Sequence, residues 1–456
     1  MIMKQKLLVL VLALILVGAM LTGCGGSKGN ETGSKEETSS EGKTELVLWS
    51  VYNDDGVETL YTLADKFNET SDKYHLTIEY GGTQAQVRQK LATYDEKNYP
   101  SLFMCEPASI YDYEYGGYVK PLQDFLDADS DKWADDIFEV AKMAYSNKEG
   151  KMLGGIMGIS TKGWFVNVDM LKKAGYSLED LTSFEKVTAA ARAAYNKGLC
   201  KYGYTPYEGF EIQNMLCYQG VDIFDEENGF AGTPTKCLLG EGDTYTSLKK
   251  MTEIYAEMAA EGSYYLGAGG ASGASMFINE QLLFWGGTNS YAYNIKDVDL
   301  AFEWAFVPLV GVDDNAKFKG CAMAEGTGLF ITNTDDEAEM QGAYELIKFF
   351  AKTENQLEWC TYRGYVPYTN EAANSDVWTN FSKEKFPSAA SILEKIKNTP
   401  AELRLPYSPV ASSMNSACSR LNSMISNEPK GDLDAYIQEV TNNVNKSLKL
   451  LEMRSK

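Results

Sequence analysis

Histidine is almost missing: His75 is the only one in 456 residues. A Ser-His-Asp triad would have to use it, and there is neither an HExxH run nor a His/Cys cluster. His75 opens a β-rich segment and reads as a half-buried strand residue. Cysteine lacks pattern rather than number. Beyond Cys24 stand Cys105, Cys200, Cys217, Cys237, Cys321, Cys360 and Cys418, with no CxxC and no zinc-type spacing. They read as small buried hydrophobes, a Cys200 to Cys217 bridge being the open alternative. Basic charge is in deficit, with 42 Lys and Arg against 64 Asp and Glu, net -22. This argues against nucleic acid or an anionic membrane surface as main partner. The run Gly267-Ala268-Gly269-Gly270-Ala271-Ser272-Gly273 lacks the Gly-Lys-Ser/Thr of a P-loop and reads as a flexible loop within reach of a ligand. Asp127, Asp129 and Asp131 open like an EF-hand, but Lys132 fills the glycine position and Phe138 the bidentate glutamate position. No metal and no cofactor is expected.

What is present begins with a targeting signal. Met1 to Lys6 is short and basic, Leu7 to Met20 is apolar, and Leu21-Thr22-Gly23-Cys24 closes the segment. The apolar run is short for a bilayer span and reads as an export signal over 1–23. Leu21-Thr22-Gly23-Cys24 resembles the lipobox of bacterial lipoproteins, which implies cleavage before Cys24 and acylation there. Residues 24–44 read as an anchor and tether: Gly, Ser, Thr, Glu and Lys predominate from residue 25, too polar to offset the entropy of folding.

About 410 residues remain, and a composition 44% hydrophobic and 12% aromatic suffices for two cores. Glu45 to Ser50 reads as a strand, and Val57 to Phe67 as a helix with Leu60, Leu63, Ala64 and Phe67 on one face. Tyr74 to Tyr80 is a strand, Gln84 to Tyr94 a helix and Ser101 to Cys105 a buried strand, so the chain opens βαβαβ. From about Gly150 a second α/β unit follows, with helices at Asp169 to Ala174, Phe184 to Asn196, Leu248 to Ala260 and Glu337 to Ala351. A strand at Gly326 to Thr332 and a helix at Leu433 to Leu451 complete it. The fold class is α/β, two lobes, each a mixed sheet covered by helices.

Several segments in order carry a resemblance: Leu46-Val47-Leu48-Trp49; Gly117-Tyr118-Val119-Lys120-Pro121-Leu122; Gly150-Lys151-Met152-Leu153-Gly154; Trp164-Phe165-Val166-Asn167; Gly342 to Lys352; and Gly364-Tyr365-Val366-Pro367. Together they resemble the extracellular solute-binding proteins of carbohydrate ABC importers. That resemblance implies a type II periplasmic-binding-protein-like fold with a ligand cleft between lobes at 45–159 with 320–362 and 160–319 with 363–456. It also implies crossings near Ile159 to Thr161, Lys319 to Gly326 and Cys360 to Tyr365, a membrane permease partner, a monomer and no catalysis. Within the family, the subgroup that binds sn-glycerol 3-phosphate is the most similar. Its ligand positions fall on Glu106, Ser160, Gly326, Tyr365 and Arg404; Gln84 and Gly273 depart from its pattern.

Chemistry fits those positions. Glu106 can accept hydrogen bonds from hydroxyls, and Arg404 can clamp a phosphate bidentately with Ser160, Tyr365 and backbone N–H groups near Gly326. Against this stand a structural ion pair for Arg404 and a loop or helix-cap carboxylate for Glu106. Were Arg404 to face solvent, a neutral oligosaccharide would be the better ligand. Sugar faces stack on flat rings; of Trp49, Tyr52, Trp164, Tyr207, Phe210, Trp285 and Tyr291, the expected cleft residues are Tyr207, Phe210 and Trp285. The rival function is a secreted carbohydrate-active hydrolase using two of the 64 carboxylates.

Overall fold

The computed structural model describes residues 42–53 and 57–454. The export signal, Cys24 and the tether as far as residue 41 lie outside the described residues. Among the described residues nine strands form two mixed sheets: β1 (Thr44–Ser50), β2 (Tyr74–Tyr80), β3 (Leu102–Cys105), β4 (Gly155–Ser160), β5 (Lys162–Asn167), β6 (Tyr202–Thr205), β7 (Leu282–Thr288), β8 (Trp304–Pro308) and β9 (Glu325–Ile331).

The first sheet runs β2-β1-β3-β9-β4. β1 pairs parallel with β2 and β3, whereas β9 runs antiparallel between β3 and β4. Central β3, Leu-Phe-Met-Cys, is buried throughout, whereas edge strand β2 exposes part of its length. Parallel neighbours need a crossover, and α1 (Val57–Thr70) supplies it, burying the Leu60, Leu63, Ala64 and Phe67 stripe expected from the spacing. α2 (Gln84–Thr93) starts at a capping box in which Thr83 and Gln86 satisfy each other's backbone N–H groups. His75 stands on β2 with Nδ1 2.8 Å from Glu45 Oε2, a strand residue as read.

The second sheet runs β6-β7-β5-β8, parallel between β6 and β7 and antiparallel elsewhere. Its core includes Trp164, Tyr204, Tyr255 and the buried faces of α3 (Phe184–Asn196), α4 (Glu208–Gln219) and α5 (Gly242–Glu261). The antiparallel pair α6 (Ala411–Asn427) and α7 (Leu433–Arg454) adds Met414, Leu421, Val440 and Val444 to the same core.

Only Thr161 separates β4 in one sheet from β5 in the other. Asn289, fully buried, holds that junction: its Oδ1 accepts from Thr161 N at 2.6 Å and its Nδ2 donates to Gly364 O at 2.7 Å. One amide side chain thus fastens the first crossing to the segment entering Tyr365. There Val366 bridges back to Ile159 in β4.

All seven cysteines among the described residues are free, so the Cys200 to Cys217 bridge is not made. The glycine-rich run is a pair of 3-10 turns, Leu266–Ala268 and Gly270–Gly273, closed over Trp285, whose Nε1 donates to Gly270 O at 2.7 Å. A Cβ on Gly273 would meet Ala268 O at 2.2 Å and the Trp285 ring at 2.4 Å. Close packing, not flexibility, accounts for the small residues here.

Gly326 has φ +136° and lies opposite Ile159 in the β4–β9 pair, where a Cβ would stand 2.2 Å from Gly158 O. Neither the dihedral nor the approach admits another residue. Gly326→Ala is expected to cost about 3 kcal/mol of stability in urea denaturation; a loss below about 1 kcal/mol would contradict this account.

Candidate functional site

Where strands of an open α/β sheet end at their carboxyl edges, the loops leave a crevice that suits a ligand. Here the crevice is a cleft of about 910 Å³. Tyr52, just beyond β1, and Glu106, just beyond β3, come from the first sheet's side; Tyr207, just beyond β6, and Ser290 and Tyr291, just beyond β7, come from the second. Ser160 and Lys162 flank the Thr161 crossing, and Glu325, Gly326 and Thr327 open β9. Arg363 and Tyr365 reach it from the third crossing.

Six of the eight residues expected from the sequence border this cleft: Glu106, Ser160, Tyr207, Phe210, Gly326 and Tyr365. Trp285 does not. It is fully buried on β7 and stacks on Phe165 at 4.4 Å between ring centroids, pinned by its bond to Gly270. The Gly270 turn and the Tyr291 ring, 6.3 Å from it, cover it on the cleft side. Arg404 is exposed and lies over the Phe230 ring, beside a smaller cavity of about 80 Å³ that shares Ala108, Glu325 and Leu405 with the cleft. Partial burial of its side chain lowers its pKa, against the pull of Glu402. Its guanidinium is thus engaged in a cation–π contact outside the cleft.

Glu106 is the first of the built elements. Its Oε1 pairs with Arg88 Nη1 and accepts from Ser109 Oγ at 3.1 Å, while Oε2 accepts from Cys105 Sγ at 3.3 Å. It precedes the 3-10 turn Pro107–Ser109 yet makes no cap to the turn's backbone, so the capping alternative does not apply. Nearby Asp112 has its pKa pushed up to about 7 by burial, opposed by Arg88 and reinforced by Glu106.

Tyr365, Tyr52 and Thr327 form a triangle of hydroxyls. Tyr52 Oη lies 2.7 Å from both Tyr365 Oη and Thr327 Oγ1, and the remaining side is 3.3 Å. Arg363, 3% exposed, is stacked between Tyr52 and Tyr293 with its guanidinium carbon 4.5 Å and 4.2 Å from the ring centroids. On the facing wall Tyr207 stacks with Phe210 at 5.4 Å and meets Tyr291 edge-on at 6.1 Å. Rings for C–H faces, hydroxyls and paired carboxylates for O–H groups equip the cleft for a small polar solute.

Arg88, Asp112, Lys162, Glu325, Thr327 and Arg363 escaped the sequence reading. Two left a signal: Lys162 and Glu325 are the single charges in their strands, each beside a position singled out. Asp129, from the acidic triplet, is a link between elements, accepting from Tyr344 Oη at 2.6 Å and Lys348 Nζ at 2.8 Å. Among the described residues no group of three or more metal-ligating side chains is gathered, and no helix is long and apolar enough to cross a membrane.

Two mixed-sheet lobes around an aromatic, hydroxyl-lined cleft define a solute-binding protein of the periplasmic-binding type. The chain belongs to the bacterial extracellular solute-binding protein family, whose model matches residues 62–386. This is a family of binding proteins without catalytic activity, which sets aside the hydrolase alternative. The sn-glycerol-3-phosphate-binding periplasmic protein UgpB of Pectobacterium atrosepticum is 24% identical over 368 residues, 79% of this chain and 81% of that protein. UgpB of Escherichia coli K12 is 23% identical over 364 residues, covering 78% and 81%. In fold, UgpB from Mycobacterium tuberculosis in complex with glycerophosphocholine matches with a TM-score of 0.69 at 15% identity, covering 91% of this chain and all of that one. Maltose-bound MalE3 of T. maritima matches with a TM-score of 0.68, also at 15% identity, over 90% of this chain and all of that one.

Behind the Tyr207 wall, Glu211 is fully buried, accepting from Tyr207 N at 2.7 Å and Trp164 Nε1 at 3.2 Å. Burial pushes its pKa up to about 8, against those two hydrogen bonds. The folded state keeps a proton that the unfolded chain releases from about pH 4.5, so this group's stabilisation is full in acid and lost as pH rises toward 8. Between pH 5 and 8, wild type is expected to lose about 1 kcal/mol per pH unit more than Glu211→Gln in urea titrations. Parallel pH profiles would contradict this.

Proposed function

We propose that the chain is the solute-capturing subunit of an ABC importer, taking up a sugar or polyol, with sn-glycerol 3-phosphate as the type of the phosphorylated candidates. Glu106, Ser160, Tyr207, Phe210, Gly326 and Tyr365 contact the solute. The lobes 45–159 with 320–362 and 160–319 with 363–456 close on it by bending at the three crossings, so that binding shifts the population from open to closed. The closed form is what the membrane permease recognises. Cys24 carries the lipid that holds the protein, as a monomer, at the outer face of the membrane.

The observation that carries this reading is the cleft itself, where hydroxyls, ring faces and charged pairs from both sides converge at the crossings. A relative named for sn-glycerol 3-phosphate, and fold matches holding glycerophosphocholine and maltose, support this solute class. The position of Arg404, exposed and stacked on Phe230 outside the cleft, favours a neutral sugar over a phosphate clamped there.

Calorimetric titration of the full chain with maltose, sn-glycerol 3-phosphate and glycerophosphocholine is expected to give saturable 1:1 binding of at least one, weakened about tenfold or more by Glu106→Gln. Arg404→Ala is expected to leave that affinity within about threefold; abolition of phosphate-ester binding by Arg404→Ala would restore the clamp. Binding of none of the three would refute the proposed solute class. For the anchor, cells fed a labelled fatty acid are expected to label wild type and not Cys24→Ser; equal labelling would remove Cys24 as the attachment site.

A further inference from the structure

Two opposite charges sit where the chain passes between the sheets. Lys162 opens β5 one residue after the first crossing, and Glu325 opens β9 at the end of the second. Their side chains are only 7% and 10% exposed, and Lys162 Nζ pairs with Glu325 Oε2. Both residues border the cleft. Moving such a pair out of water costs several kcal/mol per ion, which their attraction repays incompletely, and apolar residues of like volume commonly serve a fold as well or better. Stability alone therefore supplies no reason for charges here.

The same carboxylate carries an unmet demand. Glu325 Oε1 is buried and has no hydrogen-bond partner among the described residues. A buried, unsatisfied acceptor is costly, and a hydroxyl of a bound solute would satisfy it. Across from it the Lys162 ammonium lies 5.4 Å from the centroid of the Phe210 ring. An aromatic face and a charged acceptor side by side match the alternating C–H and O–H surface of a polyhydroxylated molecule. A phosphate, offering only acceptors, would meet that oxygen with like charge.

We propose that Lys162 and Glu325 are solute contacts that read the hydroxyl groups of a sugar or polyol. Glu325 accepts from a hydroxyl, Lys162 donates to an oxygen of the same moiety, and any phosphate on the solute lies away from the crossings. This inference rests on the sugar or polyol reading given above. It makes the pair a specificity determinant, because discrimination against a solute lacking the hydroxyl comes from leaving a buried polar group unpaired.

The test uses the full chain and the double variant Lys162→Met/Glu325→Leu, which leaves neither charge alone. Both are titrated with maltose, sn-glycerol 3-phosphate and glycerophosphocholine, then with singly deoxygenated analogues of whichever binds. The expected result is a variant that melts within a few degrees of wild type but binds about 10- to 100-fold more weakly. At least one deoxy analogue that wild type disfavours about tenfold is no longer disfavoured. Unchanged affinity, or a uniform loss with the hydroxyl discrimination kept, assigns the pair to structure and overturns the proposal. Where the double variant does not fold, Glu325→Gln is read on the same discrimination ratio. Wild type that binds none of the probes overturns the proposed function and this subsite together; wild-type binding with an indifferent variant overturns the subsite alone.

Discussion

Everything in the cleft depends on how the backbone is held where it passes from one sheet to the other. A single residue, Thr161, lies between strands of different sheets, and the amide of Asn289 binds its N–H and the carbonyl of Gly364 at once. In a buried setting such bonds are hard to exchange for water, so the junction keeps its geometry while leaving few backbone dihedrals free to bend. Ser160 and Lys162 end and begin the two strands, Gly326 pairs with β4 from β9, and Tyr365 follows Gly364 directly. Their mutual placement follows from the junction rather than from contacts they make among themselves.

The walls use a different principle from the floor. Tyr207, Phe210 and Tyr291 orient one another by stacking and edge contacts, and Tyr52, Thr327 and Tyr365 do so by hydroxyl hydrogen bonds. Behind them sit fixed supports: Glu211 holds the backbone N–H of Tyr207, and Trp285, buried on β7, backs Tyr291 at 6.3 Å. Large rings with two rotatable bonds lose little entropy when so constrained, which suits a surface that must be ready before its solute arrives.

Local periodicity made much of the fold readable. The Leu60, Leu63, Ala64 and Phe67 stripe, the β-rich Tyr74 to Tyr80 segment and the helices at Phe184 and Glu337 follow from spacing alone. What spacing does not carry is which neighbour a strand takes. β9 enters the first sheet between β3 and β4 although more than 150 residues separate it from either in sequence, and no local signal announces that insertion. The same limit explains the site. Residues beside sequence landmarks border the cleft, whereas Arg88 and Arg363, placed around it by helices, left no mark in the sequence. An aromatic in a strand has the same local signature whether its ring ends up covered or open, which is why Trp285 stood among the expected cleft residues; and nothing near Arg404 in sequence announces Phe230, 174 positions away, on whose ring it lies.

The unpaired cysteines have a bearing on how the molecule is made. Six of the seven are buried, and burial pushes their thiols up, to about 12 for Cys217, Cys237 and Cys418, so thiolate is scarce at neutral pH. Because none of the described cysteines is in a bridge, this part of the fold owes nothing to an oxidant or an isomerase. Forming the described fold therefore involves no disulfide exchange, and reductant is not expected to lower its stability.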